Sequence, residues 1–374
     1  MIFSKKPAFC KSIFPVICSF SIFACTTTTP PPPAPGLKKL INNELTVSFD
    51  DSQEINILVA TNRKTAGNIL NCSSENYTIE WQPNMSYASC LINVPRRHAV
   101  GSIEPVSSGN KDVHNLYSML DHRTLTQESL IEKIKGAKQV ALFVHGFNVR
   151  FDEAVLRAAQ LAYDAKFQGP VILFSWPAGG GDGMLNSIRF NRTYEKNRDN
   201  AKLSIEQFRS FVHELSKSGT QINLVVHSMG HQVVVPALVD ESKIAQKKPI
   251  FNEVIFNAPD IETAQIQAAA NQIRTLAERV TLYCSPNDNA LIASNSLNGN
   301  SRAGQCAKVD GFDVINVRDV ESPSLGFAGL GHGYYAGRIV LTDVFQTFLG
   351  IDAPKRLFIR KADDGGAENF MLRP

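Results

Sequence analysis

Six short apolar runs alternate with helix-like stretches from about residue 126 onward, and no other feature of the sequence constrains the fold as strongly. Continuous apolar runs of this kind are typical of parallel strands buried on both faces. The runs are Gln139–Val144, Val171–Ser175, Ile222–Val226, Glu253–Asn257, Val280–Tyr283 and Phe312–Val317. The helix-like stretches are Asp152–Phe167, Asn200–Ser216, Met229–Asp240, Glu262–Glu278 and Arg338–Leu349. This order predicts an α/β domain over residues 126–352, with a mostly parallel sheet and helices on both of its faces.

The segments on either side of this domain have different patterns. Residues 45–125 contain strand-like runs such as Ile55–Val59 and Cys90–Val94, separated by turn residues and without a helical period. We therefore expect a strand-rich N-terminal extension. The C-terminal tail, 353–374, carries no pattern that predicts a fold.

Residues 1–24 have the pattern of an export signal. Three lysines make its start positive, and the apolar run Ser12–Ala24 is too short for a stop-transfer helix. The stretch Ile22–Cys25 resembles the bacterial lipobox, in which the cysteine carries the lipid. Residues 25–44 are rich in Thr and Pro, which favours an extended tether. We expect an exported lipoprotein, held on a membrane through Cys25 and facing the periplasm or cell surface; a plain cleaved signal is the alternative.

Charge and cysteine content narrow the classes of function. Removing Lys5, Lys6 and Lys11 with the signal leaves 35 basic residues against 35 acidic ones, so no basic face remains for nucleic acid. The body has no CxxC pair, which argues against a zinc or thioredoxin-type site. We expect no metal and no cofactor.

Four cysteines remain in the body of the chain: Cys72, Cys90, Cys284 and Cys306. An even number in an oxidising compartment indicates disulfides. Spacing favours the local pairs Cys72–Cys90 and Cys284–Cys306, although three connectivities are possible and the sequence alone does not select one.

The stretch Val226–Gly230 lies between a predicted strand and a predicted helix, which is the context of the nucleophile elbow G-x-S-x-G. A sharp turn there pushes a serine hydroxyl clear of the sheet, and we predict that Ser228 is a nucleophile. Gly230 fits the tight turn, whereas Val226 stands where glycine or alanine is usual and should crowd it.

An oxyanion hole is predicted beside this serine. The stretch Phe143–Asn148 ends an earlier strand and precedes a helix. In such a fold that loop supplies one backbone N–H, and the residue after the serine supplies the other. We assign them to Phe147 and Met229.

The remaining triad members must follow the serine as acid and then histidine. His332 is the one histidine downstream of His231, and it lies in a glycine-rich loop. Two acids follow strands, Asp288 and Asp260. We favour Asp288; Asp260 is the alternative acid, or caps a helix.

Several stretches together resemble the bacterial alpha/beta hydrolase family of unknown function, whose elbow is A-H-S-M-G. They are Leu58–Arg63, Asn93–Gly101, Phe143–Asn148, Phe174–Pro177, His227–Gly230, Ala258–Ile261, Asn287–Leu291, Arg302–Gly304 and Gly331–Tyr335. The resemblance implies the alpha/beta-hydrolase fold and the triad Ser228, Asp288 and His332, but no substrate. Val226 replaces the family's alanine, and Gly333 replaces a usual serine.

These patterns predict an esterase-like serine hydrolase that acts on a small-molecule or lipid-like ester through an acyl-enzyme. Two alternatives remain, an acyltransferase and a catalytically inactive binding lipoprotein. His98, His145 and His227 are expected to have structural roles. Trp176, with the glycines after it, is expected on the rim of the substrate cleft.

Overall fold

The computed structural model describes residues 54–67, 71–95, 98–103, 116–180, 187–244, 248–320, 331–362 and 369–373, without the side chains of 187–189. The predicted export signal, the lipid-bearing Cys25 and the Thr/Pro-rich tether lie outside the described residues. In the described part of the chain, no helix is long and apolar enough to span a membrane.

Eleven strands of the described residues form one sheet. They are β1 (Glu54–Thr65), β2 (Tyr77–Asn93), β3 (Ser118–Leu125), β4 (Gln139–Val144), β5 (Val171–Ser175), β6 (Gln221–His227), β7 (Phe251–Asn257), β8 (Ala277–Cys284), β9 (Asp313–Asn316), β10 (Ile359–Lys361) and β11 (Phe370–Leu372). The helices are α1 (Gln127–Ile134), α2 (Phe151–Asp164), α3 (Ser187–Leu203), α4 (Ile205–Ser216), α5 (His231–Glu241), α6 (Thr263–Leu276), α7 (Asn289–Asn298) and α8 (Arg338–Phe348).

The spatial order of the strands is β10-β11-β9-β8-β7-β6-β4-β5-β1-β2-β3. The run from β11 to β1 is parallel, whereas β2, β3 and β10 are antiparallel to their neighbours. The chain leaves β4 to form β5 on one side and then returns to form β6 on the other. The loops that follow β4 and β6 therefore open a crevice at the point where the order of strands reverses, which is where open α/β sheets bind ligands.

Successive side chains of each strand point to opposite faces of the sheet, which divides the core into two layers. Leu142 and Val144 of β4 face one layer, together with α1, α4, α5 and α6. Ala141 and Phe143 face the other layer, together with α2 and α8. Helices thus cover both faces, as the continuous apolar runs required, and the predicted α/β fold is confirmed. The N-terminal strands β1 to β3 extend the same sheet, because β1 pairs in parallel with β5.

Several local features differ from the sequence prediction, among them helix α1, which was not predicted. The helix predicted at Asn200–Ser216 belongs to two helices, α3 and α4, which adjoin at Ser204. Helix α7 was not predicted, because its sequence carries little apolar periodicity; the Asp288 side chain starts it by accepting from the backbone N–H of Ala290 and Leu291. The tail supplies β10 and β11, and β11 pairs with β9. Such three-residue strands are too short to be recognised without their partners.

Both disulfides favoured by the cysteine spacing are present. Cys72–Cys90 ties the loop before β2 to the C-terminal part of that strand. Cys284–Cys306 joins the end of β8 to the 3₁₀ turn Ala303–Gln305. The second bridge therefore braces the segment that leads from β8 into α7.

Each bridge is expected to stabilise the fold. The pairs are 18 and 22 residues apart in sequence, and chain entropy predicts that closing a loop of this size adds about 3 kcal/mol to the free energy of unfolding. Replacing both cysteines of one pair by alanine should lower it by about that amount, as measured by urea denaturation. Peptide mapping of the unreduced protein that finds all four thiols free would contradict this expectation.

Candidate active site

Strand β6 turns directly into α5 through a strained elbow at Ser228. Ser228 has a φ of 53°, in the left-handed region that serine rarely adopts. Its carbonyl oxygen accepts from the Nδ1–H of His231 at 2.7 Å and from the backbone N–H of Asp260 at 3.2 Å. These two bonds hold the backbone in a conformation that it would not otherwise keep.

Two glycines allow the loops after β4 and β6 to touch. A Cβ on Gly230 would lie 2.6 Å from the carbonyl oxygen of His145, and a Cβ on Gly146 would lie 2.7 Å from the Cβ of Ser228. Both distances are shorter than real contacts allow. The side chain of Val226, expected from the sequence to crowd the turn, is fully buried in the core layer that includes α5.

Ser228, His332 and Asp288 form a continuous hydrogen-bonded chain. The Nε2 atom of His332 lies 2.8 Å from the Oγ of Ser228, and its Nδ1 lies 2.6 Å from the Oδ2 of Asp288. A carboxylate only accepts, so Nδ1 carries the proton, and Nε2 of the neutral ring accepts from the serine hydroxyl. The other carboxylate oxygen of Asp288 accepts from the N–H groups of Ala290 and Leu291, both at 3.1 Å. This arrangement can draw a proton from the serine.

Burial and charge act in opposite directions on His332. Burial is the largest single influence on its pKa and would lower it. The charge of Asp288, its hydrogen bond to the ring and the charge of Asp260 act together against burial, and they raise the pKa above its ordinary value of 6.5. The protonated imidazole is therefore stabilised at this position, as a general base requires after it has taken up a proton.

Asp260 lies beside the site but is hydrogen-bonded to other groups. The Tyr194 hydroxyl donates to its Oδ2 at 3.0 Å, and the Ser294 hydroxyl donates to its Oδ1 at 2.6 Å. The Nε of Arg302 lies 3.4 Å from the same Oδ1. Of the two candidate acids, Asp288 is the one hydrogen-bonded to His332.

The site opens into a cleft of about 640 Å³. Its described walls include the aromatic rings of Phe147, Phe190 and Tyr194, which pack against one another. Phe147, the first residue assigned to the oxyanion hole, lies on the cleft wall, and Met229, the second, is buried directly after Ser228. The role of their N–H groups stays a prediction.

Trp176 is not on the rim of the cleft, and that prediction was wrong. It is fully buried, stacks on the ring of His145 and donates its indole N–H to the His145 carbonyl at 2.8 Å. Stacking on His145 and the hydrogen bond to its carbonyl hold the Trp176 ring in the core instead of the cleft.

A buried arginine that sequence reasoning did not assign to the site supports the loop after β4. Arg63 donates to the carbonyls of Ala178 and Val149 at 2.9 and 2.8 Å and to the hydroxyl of Ser175 at 2.9 Å. Burial lowers the pKa of Arg63 to about 9. The only signal was its place in the stretch Leu58–Arg63, which carries the family resemblance but indicates no contact.

The predicted structural histidines have partners in the fold. Burial, followed by the charge of Arg63, lowers the pKa of His145 to about 3, so its ring is neutral and packs under the loop. The ring of His227 stacks on Tyr335 with centroids 3.9 Å apart, and burial holds its pKa well below 6.5. His98 donates to Asp164 at 2.8 Å. Among the described residues, no group of three or more His, Cys, Asp or Glu could hold a metal ion.

Residues 122–350 match the family described as alpha/beta hydrolase of unknown function (DUF900), and the chain belongs to this family. No curated protein and no solved structure matches the chain. The family match supports a hydrolase-like fold and leaves the substrate open.

The pKa of His332 is expected to depend mainly on Asp288. In Asp288→Asn the charge that offsets burial is lost, so the pKa of His332 should fall below 6.5. Asp260→Asn should lower it less, because Asp260 makes the smaller contribution. Titration of the histidine ring signals by NMR measures both. A large fall in Asp260→Asn with none in Asp288→Asn would reverse the assignment of the acid.

Proposed function

We propose that the protein is a serine hydrolase of carboxylic esters, with Ser228 as nucleophile, His332 as general base and Asp288 as the acid that orients it. The observation that carries this proposal is the continuous chain from Asp288 through His332 to Ser228 at the floor of the cleft. Each member comes from a different loop at one edge of the sheet, so the contact depends on the whole fold.

The proposed reaction proceeds through an acyl-enzyme. The Ser228 oxygen attacks the ester carbonyl while His332 Nε2 takes the serine proton. The N–H groups of Phe147 and Met229 stabilise the oxyanion of the tetrahedral intermediate. The C–O bond of the ester then breaks, and His332 returns its proton to the departing alcohol. Water repeats the sequence in the second half, releasing the acid and free Ser228.

The raised pKa of His332 fixes the pH dependence of this scheme. His332 can accept a proton only when neutral, and its pKa lies above 6.5. The reaction should therefore gain rate as the pH rises through a midpoint above 6.5.

The alternatives to hydrolysis would use the same site. The hydrogen bond from Ser228 to His332, whose pKa is raised, favours an enzyme over a binding protein that has lost its activity. Acyl transfer would use the same residues with an alcohol in place of water.

Ser228→Ala tests the nucleophile. The variant should fold normally and lose ester hydrolysis by roughly 10⁴-fold or more, because the members of a triad act as a unit. A fluorophosphonate probe should label the wild type at Ser228 and leave Ser228→Ala unlabelled, and mass spectrometry locates the label. Ser210→Ala, an exposed serine on α4, is the matched control and should behave as wild type. Undiminished hydrolysis by Ser228→Ala would refute the proposal.

We further propose that a lipid at Cys25 anchors the protein to a membrane, with the Thr/Pro-rich tether holding the domain away from the surface. Two or more acyl chains hold a protein far more firmly than one, at about 0.8 kcal/mol per buried CH₂. The proposal rests on the lipobox-like stretch Ile22–Cys25 and the tether that follows it.

Cys25→Ser should release the protein from the membrane fraction or leave its precursor unprocessed. Cys18→Ser changes a cysteine within the same signal and is the matched control, which should remain anchored. Fractionation and mass spectrometry of the N-terminal peptide measure both effects. A wild-type protein that is recovered soluble, with an unmodified N-terminus elsewhere, would refute the anchor while leaving the hydrolase proposal intact.

A further inference from the structure

The segment 98–103 has no part in the proposed reaction, yet it is fastened to the helix that forms one wall of the cleft. His98 donates to the Oδ1 of Asp164 at 2.8 Å, and the backbone N–H of Gly101 donates to its Oδ2 at 2.8 Å. Asp164 is the last residue of α2, and its side chain is 1% exposed. The bonds between them fix the position of the Gly101 carbonyl beside α2.

That carbonyl holds Arg157 in place. The Nη1 of Arg157 donates to the Gly101 oxygen at 3.1 Å and to the Oε1 of Gln160 at 2.7 Å. The Nε2 of Gln160 in turn donates to Asp164 at 2.6 Å. Both acceptors of Arg157 among the described residues are neutral, so they orient the guanidinium without compensating its charge.

Arg157 faces the same cleft as the proposed nucleophile. It lines the cleft together with His227, Ser228 and Tyr335. Burial, followed by the charges of His332 and His231, lowers the pKa of His227, and the charge of Arg157 adds a smaller contribution in the same direction. The same charge opposes the effect of burial on the pKa of Tyr335, whose ring stacks on His227. The field of the guanidinium therefore extends to the groups around the serine.

No carboxylate in the described part of the chain lies within ion-pairing distance of Arg157. Asp260, which also lines the cleft, is already bonded to Tyr194 and Ser294 and paired with Arg302. Glu153 is exposed and accepts the backbone N–H of Arg150. A partly buried guanidinium usually has an anionic partner, since it presents a rigid fork of donors that suits carboxylate and phosphate.

We infer that Arg157 is the anion-binding subsite of the cleft and that the substrate is an ester bearing a carboxylate or phosphate group, held there while Ser228 attacks the carbonyl. This inference rests on the proposed esterase function. It assigns the segment 98–103, Gln160 and Asp164 the task of positioning the arginine. Arg157 is a specificity-determining residue in this scheme, because it contacts the substrate away from the reacting bond.

The kinetic test compares two esters matched in length. The p-nitrophenyl monoester of glutaric acid carries a free carboxylate, and p-nitrophenyl pentanoate does not. Wild type should favour the anionic ester in kcat/KM, and Arg157→Gln should reduce the ratio of the two kcat/KM values by roughly 10- to 100-fold, the range expected for a hydrogen bond to a charged group. Arg157→Lys keeps the charge without the fork and should give an intermediate ratio. Arg123→Gln, an exposed arginine on β3, is the matched control and should keep the wild-type ratio.

A binding measurement keeps the test independent of turnover. Ser228→Ala should bind glutarate, and separately inorganic phosphate, in isothermal titration calorimetry. The affinity should be at least about tenfold weaker in the double variant that also carries Arg157→Gln. The ligand that binds with the higher affinity identifies carboxylate or phosphate as the recognised group. Melting curves establish that each variant is folded.

The outcomes separate the two proposals. Efficient hydrolysis of both esters with an unchanged ratio in folded Arg157→Gln would overturn the subsite and leave the esterase standing. A second outcome is a wild type that binds anions but neither cleaves esters nor reacts with the fluorophosphonate. If Arg157→Gln then loses the anion binding, the subsite is supported and the esterase is overturned. Glutarate and phosphate binding that is absent from Ser228→Ala, or unchanged by Arg157→Gln, would overturn the subsite.

Discussion

The left-handed turn at Ser228 is the constraint on which the rest of the site depends. A serine in this conformation costs about 1–3 kcal/mol, which the surrounding structure must offset. The carbonyl of Ser228 is held from two sides, by the ring of His231 and the backbone of Asp260. Gly146 and Gly230 leave no room for a Cβ between the loops after β4 and β6. The order of the strands brings those loops together, so sheet topology, close packing and strain combine at one residue.

Buried polar groups fix the remaining parts of the cleft. Arg63 fastens the loop after β4 through carbonyls and a hydroxyl. Asp260, in the wall of the cleft, accepts hydrogen bonds from Tyr194 and Ser294. A buried polar group with satisfied hydrogen bonds resists displacement, because moving it would leave a partner unpaired in a medium of low dielectric. The walls of the cleft are therefore preorganised by polar contacts as well as by the apolar core.

The sequence predicted the features that depend on local pattern. Strands β4 and β5 match their apolar runs, and the elbow at Ser228 follows from a strand, a short motif and a helix in succession. The pairing of Asp288 rather than Asp260 with His332 could only be favoured, because both acids follow strands and the choice depends on side-chain direction. Arg63 and Arg157 were not assigned to the site, because the contacts that place each of them there come from residues distant in sequence. Trp176 was misplaced because burial, not strand position, decides where its ring lies.

Asp288 divides two tasks between its two carboxylate oxygens: Oδ1 starts helix α7, and Oδ2 holds His332. Asparagine at this position would keep an oxygen for the helix and lose the charge beside the histidine. The codons for aspartate and asparagine differ by one nucleotide, so a lineage could lose the proposed chemistry in a single step. Under the proposed function, one substitution that keeps the cap of α7 would therefore remove catalysis. Within the family, an intact fold alone would then be poor evidence of a working enzyme, and the residue at this one position would be more informative.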